Sequence, residues 1–538
     1  MLKTPAPKTQ HGFSTVEILI AFAVLSFSLV AIISMVFGGQ SLALDARTDD
    51  EAAHKAQDLL EATRASSTLD FALVQPIAPV ADVDTTYTKS LDVNMIDSWT
   101  KKVTSNVSWN AEGGRISTVT LTTLLTDPSG FINNNTCGAV LSNPVGWKNP
   151  QHYEKISTDI VNQAAGNNSN GLGIADMAVL NQRLYIAAHT SANNDANFYI
   201  TDLPANSADW PTHQGYRGSM DTNQNGAGGL AAITAATINN TPYVFIANTN
   251  IISTNGHLQV VDVSNPIPTG WNPPIARYRL PAISTTKFGR SIFYHDGYIY
   301  LGLVGNASGG AEFNIIDVRN PLNPSRVGGY ATGGHTVNSV FVKDNYAYIT
   351  TANNADPNSR IMSIIDVNIN SPTFAQRVSG WTDFTYPPNS GGAGSNHGKS
   401  VFVVGNTAYL GRTYGSIGAK EFNILNVTIP GNVSSGGGQD IGTGNQTSIN
   451  GLAVRDYLAF FLTKAQFQVW NVSNTSSISP WSTDGTINTF LTFSDFINGN
   501  GNNITGSSLY CEGDSFYISI ATPQGQNKDV IWILTPAP

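Results

Sequence analysis

The sequence has few charged residues, few cysteines and no excess of basic side chains. Its 28 Lys+Arg and 37 Asp+Glu residues give a net charge of −9 and make up 12% of the 538 residues, about half of the usual share in soluble domains. Nucleic-acid binders normally carry a basic patch, so this balance argues against a nucleic-acid partner. Because the chain has only 2 cysteines, it also lacks the residues for a cysteine-based zinc site or a disulfide scaffold.

One long apolar run lies near the start of the chain. Residues 13–37 carry a single charge, Glu17, and a helix of this length exceeds the ~30 Å hydrocarbon core of a membrane. Lys3 and Lys8 precede the run without any acid, so the positive-inside tendency predicts a cytoplasmic start and an outward-facing bulk. A secretory signal peptide is the alternative, but its apolar region is shorter, at about 7 to 15 residues.

Glu17 lies where an ionised carboxylate costs roughly 2.5 to 3.5 kcal/mol, so we expect a compensating charge. The motif GFSTVE (residues 12–17) and the apolar run after it resemble the amino terminus of type IV prepilins and of type II secretion pseudopilins. The resemblance implies that a prepilin peptidase cuts between Gly12 and Phe13 and that the new amine of Phe13 is methylated. It also implies that Glu17 pairs with a terminal amine during assembly. Both residues lie on one helix face, since they are four positions apart.

The resemblance further implies partners and locations. The partners are other pilin subunits, bound through the amino-terminal helix, and the prepilin peptidase. The locations are the inner membrane for the precursor, and the extracellular pilus or cell surface afterwards.

The next stretch predicts a small α+β unit. After Gly38 and Gly39 an amphipathic helical pattern resumes, with Ala46, Ala53, Ala56 and Leu60 on one face. Residues 103–109 and 115–125 then alternate between apolar and polar side chains, which predicts a hairpin with one buried face. We therefore predict a leader (1–12), a membrane and assembly helix (13–37), a pilin-like stem helix with a small antiparallel sheet (38–128) and a linker (129–150).

From about residue 150 onward the sequence repeats a pattern of strand, polar turn and strand. Six copies are MAVLNQRLYI (177–186), IFYHDGYIYL (292–301), VFVKDNYAYI (340–349), VFVVGNTAYL (401–410), LAVRDYLAFF (452–461) and LYCEGDSFYI (509–518). In a seventh copy, TINNTPYVFI (237–246), we expect Pro242 to spoil the turn. Most copies precede a third strand that ends in Asp or Asn, which favours a turn: Asp202, Asp262, Asp317, Asp366, Asn426 and Asn471.

Repeat units of this size are typical of propeller blades, and the block resembles the bacterial LVIVD-repeat proteins, a propeller family. The resemblance implies an all-β propeller over residues 151–538, for which we predict seven blades, with six or eight as alternatives. The last copy ends with its third strand, and residues 152–161, before the first copy, have no other partner. Pairing these two segments would close the ring and remove both open sheet edges.

Cys137 and Cys511 fit either a disulfide or two separate thiols. Cys511 falls on a predicted innermost strand and Cys137 before the outermost one, which separates them by about 14 Å. A disulfide therefore requires the segment around Cys137 to fold over one end of the ring.

Asp221, Asn223 and Asn225 resemble the start of a calcium loop. The twelfth position is Ala232 instead of the bidentate Glu, so an ordinary polar surface loop is the alternative. We predict no other metal and no other cofactor.

Hydrolase and metalloprotease signatures are missing from the sequence. There is no HExxH motif, and residues 414–418 (YGSIG) lack the first glycine of a nucleophile elbow. His335 and His397 both precede predicted inner strands, near one mouth of the channel, but without a paired carboxylate. We therefore predict that the chain has no catalytic residues and is not an enzyme.

These observations predict a minor type IV pilin-like surface subunit that displays its propeller for adhesion. Side-by-side packing of so large a propeller along a thin fibre would be crowded, which favours a pilus tip. The expected ligand is a surface glycan or a protein. One alternative is a pseudopilin-like component of a type II secretion system, and another is a membrane-tethered propeller enzyme.

Overall fold

The computed structural model divides into two compact units, Met1–Pro128 and Ser129–Pro538. The described residues are 14–69, 74–82, 86–97, 100–111, 114–126, 141–156, 173–188, 196–205, 209–210, 212–213, 215–223, 229–249, 254–265, 274–281, 283, 286–305, 309–352, 360–383, 397–413, 419–441, 447–482, 505–521 and 530–537.

The first unit begins with one long helix, α1 (Thr15–Leu69), of 55 residues. At 1.5 Å per residue it is about 80 Å long. It continues through Gly38 and Gly39, so the predicted membrane helix and the predicted stem helix are a single element. Its first part is apolar and exposed, and by length and composition it could cross a membrane.

The second part of α1 packs on a four-stranded antiparallel sheet. The strands are β1 (Ile77–Ala81), β2 (Tyr87–Asp97), β3 (Thr100–Ala111) and β4 (Arg115–Thr126), in the order β1-β2-β3-β4. The predicted hairpin is confirmed as β3–β4, which closes at the pair Ala111↔Arg115. Ala52, Ala56 and Leu60 of α1 are buried. The predicted helix face is wrong at Ala46, which is exposed, and Ala53 is only half-buried, because Ala52 takes the buried position beside it.

The second unit begins with residues 141–150, which we call the strap, and strand β5 (Gln151–Ile156). Part of the predicted linker is thus folded, because the strap forms a 3-10 turn, Val145–Lys148, whose Trp147 is fully buried. The Trp147 ring packs edge-on against Phe460 and Phe516, at centroid distances of 4.9 and 5.3 Å. This aromatic contact offsets the cost of ordering a segment rich in Pro, Asn and Gly.

The described residues after the strap form seven four-stranded antiparallel sheets. The first three are β6 (Ile174–Leu180), β7 (Arg183–Ala188), β8 (Phe198–Asp202) and β9 (Tyr216–Met220); β10 (Leu230–Ile238), β11 (Thr241–Asn248), β12 (Leu258–Asp262) and β13 (Ala276–Tyr278); β14 (Gly289–His295), β15 (Tyr298–Leu303), β16 (Phe313–Asp317) and β17 (Ser325–Tyr330).

The next three sheets are β18 (Val337–Lys343), β19 (Tyr346–Thr351), β20 (Met362–Asp366) and β21 (Arg377–Trp381); β22 (Gly398–Val404), β23 (Thr407–Arg412), β24 (Phe422–Asn426) and β25 (Ser434–Gln439); β26 (Ile449–Arg455), β27 (Leu458–Thr463), β28 (Phe467–Asn471) and β29 (Ser479–Pro480). The last sheet joins β30 (Thr505–Glu512), β31 (Ser515–Ala521) and β32 (Val530–Thr535) to β5.

The first strands of the sheets pack side by side in chain order, and β30 returns to contact β6. This closed ring of radial sheets is a β-propeller. The predicted closure is confirmed, because β5 pairs antiparallel with β32, with Glu154 opposite Trp532. The closure therefore joins the start of the unit to its end.

The predicted hairpins and strand ends are largely confirmed. Asn181, Asp296, Asp344 and Asp456 occupy turns at positive φ, where Asn and Asp are tolerated. In five of the six third strands the predicted Asp or Asn side chain accepts a backbone N–H two residues later: Asp262, Asp317, Asp366, Asn426 and Asn471.

The expectation for Pro242 is wrong. Asn239 and Asn240 form the two-residue turn at positive φ, and Pro242 lies within β11, opposite Thr237. The turn is intact because Pro242 falls outside it. The Pro242 carbonyl still accepts a hydrogen bond from Val263 N, at 3.1 Å.

Candidate functional site

The described helix begins beside Glu17. The Glu17 carboxylate accepts a hydrogen bond from Ser14 N at 3.0 Å, and Ser14 Oγ accepts one from Val16 N at 3.2 Å. Ser14 is therefore the N-cap and Glu17 caps the helix in return, as in a capping box. Gly12 and Phe13, the predicted cleavage and methylation residues, lie outside the described residues.

Cys511 is disulfide-bonded and 7% exposed, whereas Cys137 lies outside the described residues. The strap crosses the propeller end where Cys511 lies. Leu141 N donates to Asp456 Oδ2 at 2.8 Å, and Ser142 N donates to Asp514 Oδ2 at 2.9 Å. Both acceptors lie in turns that follow first strands, and Asp514 is three residues after Cys511. The strap, which follows Cys137 in the chain, thus lies over one end of the ring, as a disulfide to Cys511 requires.

The calcium candidate is part of a buried polar network in the described residues. Asp221 Oδ1 accepts hydrogen bonds from Asn197 Nδ2 at 3.1 Å and Asn223 N at 3.0 Å. Asn223 Oδ1 accepts from Asn248 Nδ2 at 2.8 Å and Gln259 Nε2 at 3.1 Å. These oxygens therefore bridge neighbouring sheets within the protein. Asn225 lies outside the described residues.

The two predicted histidines approach each other near the start of the first strands. His397 directly precedes β22, and burial lowers its pKa, with the charges of Lys399 and His335 lowering it further. His335 is 6% exposed, and its Nδ1 has no hydrogen-bond partner among the described atoms.

A different feature marks one end of the central channel. Each of the seven first strands has a register irregularity at the same place near its start: at Ala175, Ala231, Arg290, Asn338, Lys399, Asn450 and Ser507. A bulge leaves one residue unpaired and redirects its side chain. All seven residues line one cavity of about 600 Å³, and we call this ring the channel mouth.

The channel mouth is locally positive in an acidic protein. Of the described residues, Arg290, Lys399 and Lys464 line the cavity together with a single acid, Asp176. Burial lowers the pKa of Lys399, and the charges of Arg290 and Lys464 lower it further. Burial also lowers the pKa of Arg290, which the charge of Asp176 opposes. Three cations and one acid leave two positive charges in excess, although the whole chain carries −9.

Asp176 is held by hydrogen bonds from three strands. It accepts from Ser508 Oγ at 2.5 Å, Ile233 N at 3.0 Å and Met177 N at 2.9 Å. Burial raises its pKa, and these hydrogen bonds oppose the rise. Asp176 therefore joins β6 to β10 and β30. Its carboxylate is already stabilised by three hydrogen-bond donors.

The residues of the channel mouth were not predicted from the sequence, although the sequence contains a signal for them. Arg290, Asn338, Lys399, Asn450 and Ser507 each stand two positions before a quoted copy of the repeat, in one polar column. An alignment of the copies extended by two residues would have shown it. The bulge that turns this column into the channel depends on backbone pairing and has no residue signature.

One family model matches the chain, and it lies within the propeller. The model of the LVIVD repeat matches residues 242–267 and 333–378, which is similarity over two short stretches. No curated protein is similar enough to count as a relative.

Similar solved structures include Raptor from Chaetomium thermophilum (8% identity, TM-score 0.40), which covers 69% of this chain. A second is the extracellular domain of the one component system BT4673 from B. thetaiotaomicron, with 10% identity, a TM-score of 0.42 and coverage of 86% of this chain. A third is the N-terminal domain of Nup159, with 10% identity, a TM-score of 0.40 and coverage of 72%. The chain spans 28%, 64% and 96% of those three chains, respectively. Likenesses this distant say nothing about function.

Proposed function

We propose that the chain is a minor type IV pilin-like subunit that displays a seven-bladed propeller on the cell surface. The precursor is anchored in the inner membrane by α1, cut after Gly12 and methylated at Phe13. The subunit then joins a fibre through its helix. The propeller lies at the tip, where it binds a surface glycan or protein. The seven described four-stranded sheets support the number of blades.

The single observation that carries the proposal is an acidic residue at the start of an exposed apolar helix. Glu17 follows the described start of α1 by two residues, and the apolar side chains after it are exposed over residues 18–37. Such a surface must be covered by lipid or by other helices. When such a subunit moves from a membrane into a fibre, its apolar helix surface leaves the lipid and packs against the helices of other subunits. Glu17 can then pair with the free amine of a neighbouring subunit.

The second part of α1 supports the same interpretation. It packs its small residues Ala52 and Ala56 against Val107 and Trp109 of the sheet, so the helix and the sheet share one core. A helix that is apolar and exposed at one end and packed on a small sheet at the other fits a subunit assembled through its helix.

The test compares Glu17→Gln with Glu51→Gln in cells that produce the fibre. Glutamine can accept the same hydrogen bond from Ser14 N, so this variant keeps the helix cap and removes only the charge. We expect surface filaments to lose the subunit in E17Q, while membrane insertion of the precursor continues. Glu51 lies on the same helix beyond the apolar part, 3.6 Å from Lys55, and E51Q is expected to assemble normally.

Mass spectrometry of the mature amino terminus tests the processing step independently. The expected species begins with a methylated Phe13. A surface form that keeps Met1 contradicts the proposal, as does an E17Q variant that enters filaments as efficiently as the parent.

A further inference from the structure

The ring around the channel is held together by hydrogen bonds between neighbouring first strands. Asn338 Nδ2 donates to the backbone oxygen of Gly398 at 2.8 Å, and Asn450 Nδ2 donates to that of Gly506 at 2.7 Å. Ser507 Oγ donates to the backbone oxygen of Ile174 at 3.2 Å. In these three blades the bulged residue itself binds the start of the next blade's first strand.

The two blades with a cation at the bulge use a different residue for this contact. Ser291 Oγ donates to Val337 O at 3.0 Å, one position after Arg290. Ser400 Oγ donates to Ile449 O at 3.3 Å, one position after Lys399. In these two blades the serines form the bond between blades, and among the described residues the side chains of Arg290 and Lys399 make no such hydrogen bond.

Nothing in the described part of the chain neutralises these cations fully. Arg290, Lys399 and Lys464 have no ion pair there, and Asp176, whose charge acts on Arg290, is already bound by three donors. Like charges that crowd a cavity cost free energy unless an anion enters. The arrangement therefore favours a ligand with at least one negative charge.

The remaining lining is suited to hydroxyl groups. Asn338 and Asn450 use their amide nitrogens on the backbone, which leaves their side-chain oxygens as acceptors without a partner among the described atoms. The cavity of about 600 Å³ lies in the usual range for small-ligand sites. It is large enough for a few sugar rings but too narrow for a folded partner.

We propose that the channel mouth binds the acidic end of a saccharide, with its anionic group at Lys399 between Arg290 and Lys464 and its hydroxyl groups at Asn338 and Asn450. The anionic group is a carboxylate or a sulfate, since both match these cations. The inference names the ligand class of the displayed propeller. It rests on the proposed function only for the location at which the protein encounters this ligand, the cell surface. Binding itself is measured on the purified chain.

The test is titration calorimetry of the full chain in detergent micelles at low salt. The probes are trigalacturonate for the carboxylate, 6′-sulfolactose for the sulfate, and lactose as the neutral match. Inorganic sulfate and a triglutamate peptide are included to separate a saccharide from a bare anion and from an acidic peptide. We expect at least one acidic sugar to bind more tightly than lactose, and its affinity to fall as salt rises.

The variants locate the binding site. Lys399→Gln is expected to weaken the acidic sugar about tenfold or more, which corresponds to the loss of one charge-assisted contact. Arg290→Gln should act in the same direction, and Lys399→Arg should retain binding. Lys420→Gln removes the same charge from an exposed position and should change the affinity less than about twofold. Circular dichroism of each variant checks that the fold is intact.

Each other outcome overturns the proposal. Equal binding of lactose and the acidic sugars removes the charge requirement, and unchanged binding in a folded K399Q moves the site elsewhere. Sulfate or triglutamate that binds as tightly as the sugars excludes a saccharide ligand. Filament assembly is not part of this measurement, so failure here leaves the proposed pilin-like role standing, and failure of that role leaves the saccharide site standing.

Discussion

The two ends of the propeller differ in packing and in charge. At the end covered by the strap, an aromatic side chain is fully buried and the turn carboxylates accept backbone hydrogen bonds. At the channel mouth, the described lining holds three cations and one acid around an open cavity. The difference indicates that one end contributes stability and the other is free for binding. Substitutions at the two ends should therefore have separable effects.

The largest expected effect is at the strap. Trp147→Ala removes a ring that packs on Phe460 and Phe516, and we expect the free energy of unfolding to fall by about 3 to 5 kcal/mol. Sugar binding by the protein that remains folded should be unchanged. The measurement is chemical denaturation of the full chain followed by far-UV circular dichroism. Val145→Ala is the matched control, since Val145 lies in the same turn and is 64% exposed. Equal losses in both variants would contradict the comparison.

A smaller effect at the same end is expected from the disulfide. We propose that Cys511 pairs with Cys137, because the strap that follows Cys137 crosses the turn beside Cys511. Cys511→Ser should then lower the free energy of unfolding by about 2 to 4 kcal/mol. A reductant should lower the melting temperature of the parent and leave that of C511S unchanged. If the reductant has no effect on the parent, the pairing is wrong.

Two glutamates at equivalent positions on the mouth end of the propeller differ in their charged partners. Glu312 and Glu421 each stand directly before a third strand and are each 1% exposed. Glu312 forms a buried ion pair with Lys287, whereas Glu421 has no ion pair among the described residues. Burial raises the pKa of Glu421 to about 7, and the nearby charge of Asp440 adds to the rise.

This difference predicts a pH dependence of stability. The folded pKa of Glu421 lies above its ordinary 4.5, so the native state holds the proton more tightly than the unfolded state. The stability from protonated Glu421 is therefore present below pH 4.5 and is lost as the pH rises through 7. Glu421→Gln should flatten this fall, by roughly 2 kcal/mol or less. Denaturation at several pH values measures it, and an unchanged slope in E421Q would contradict the assignment.

Much of the fold follows from local patterns, whereas the channel mouth does not. Asn181 and Asp296 predict their turns because few other residues tolerate positive φ. The Asp and Asn residues that end the third strands accept hydrogen bonds from the backbone two residues later. Trp147 sits in a Pro-, Asn- and Gly-rich stretch that resembles a linker, and only its contacts with distant strands fold it. The position of Lys399 in the channel depends on a bulge, which is decided by pairing with the second strand. Local patterns cannot supply information of that kind.

The smallest expected effect separates the two ends most sharply. Lys399 is partly buried beside Arg290 and Lys464, so its charge costs free energy in the native state. Lys399→Met should therefore leave the stability unchanged or raise it by up to about 1 kcal/mol, although sugar binding is lost. Lys420→Met, at an exposed position just before β24, gives the baseline for removing a lysine from the same blade. A clear loss of stability in K399M but not in K420M would mean that the lysine holds the ring together. The contrast between a stabilising end and a binding end would then fail at the residue on which it depends most.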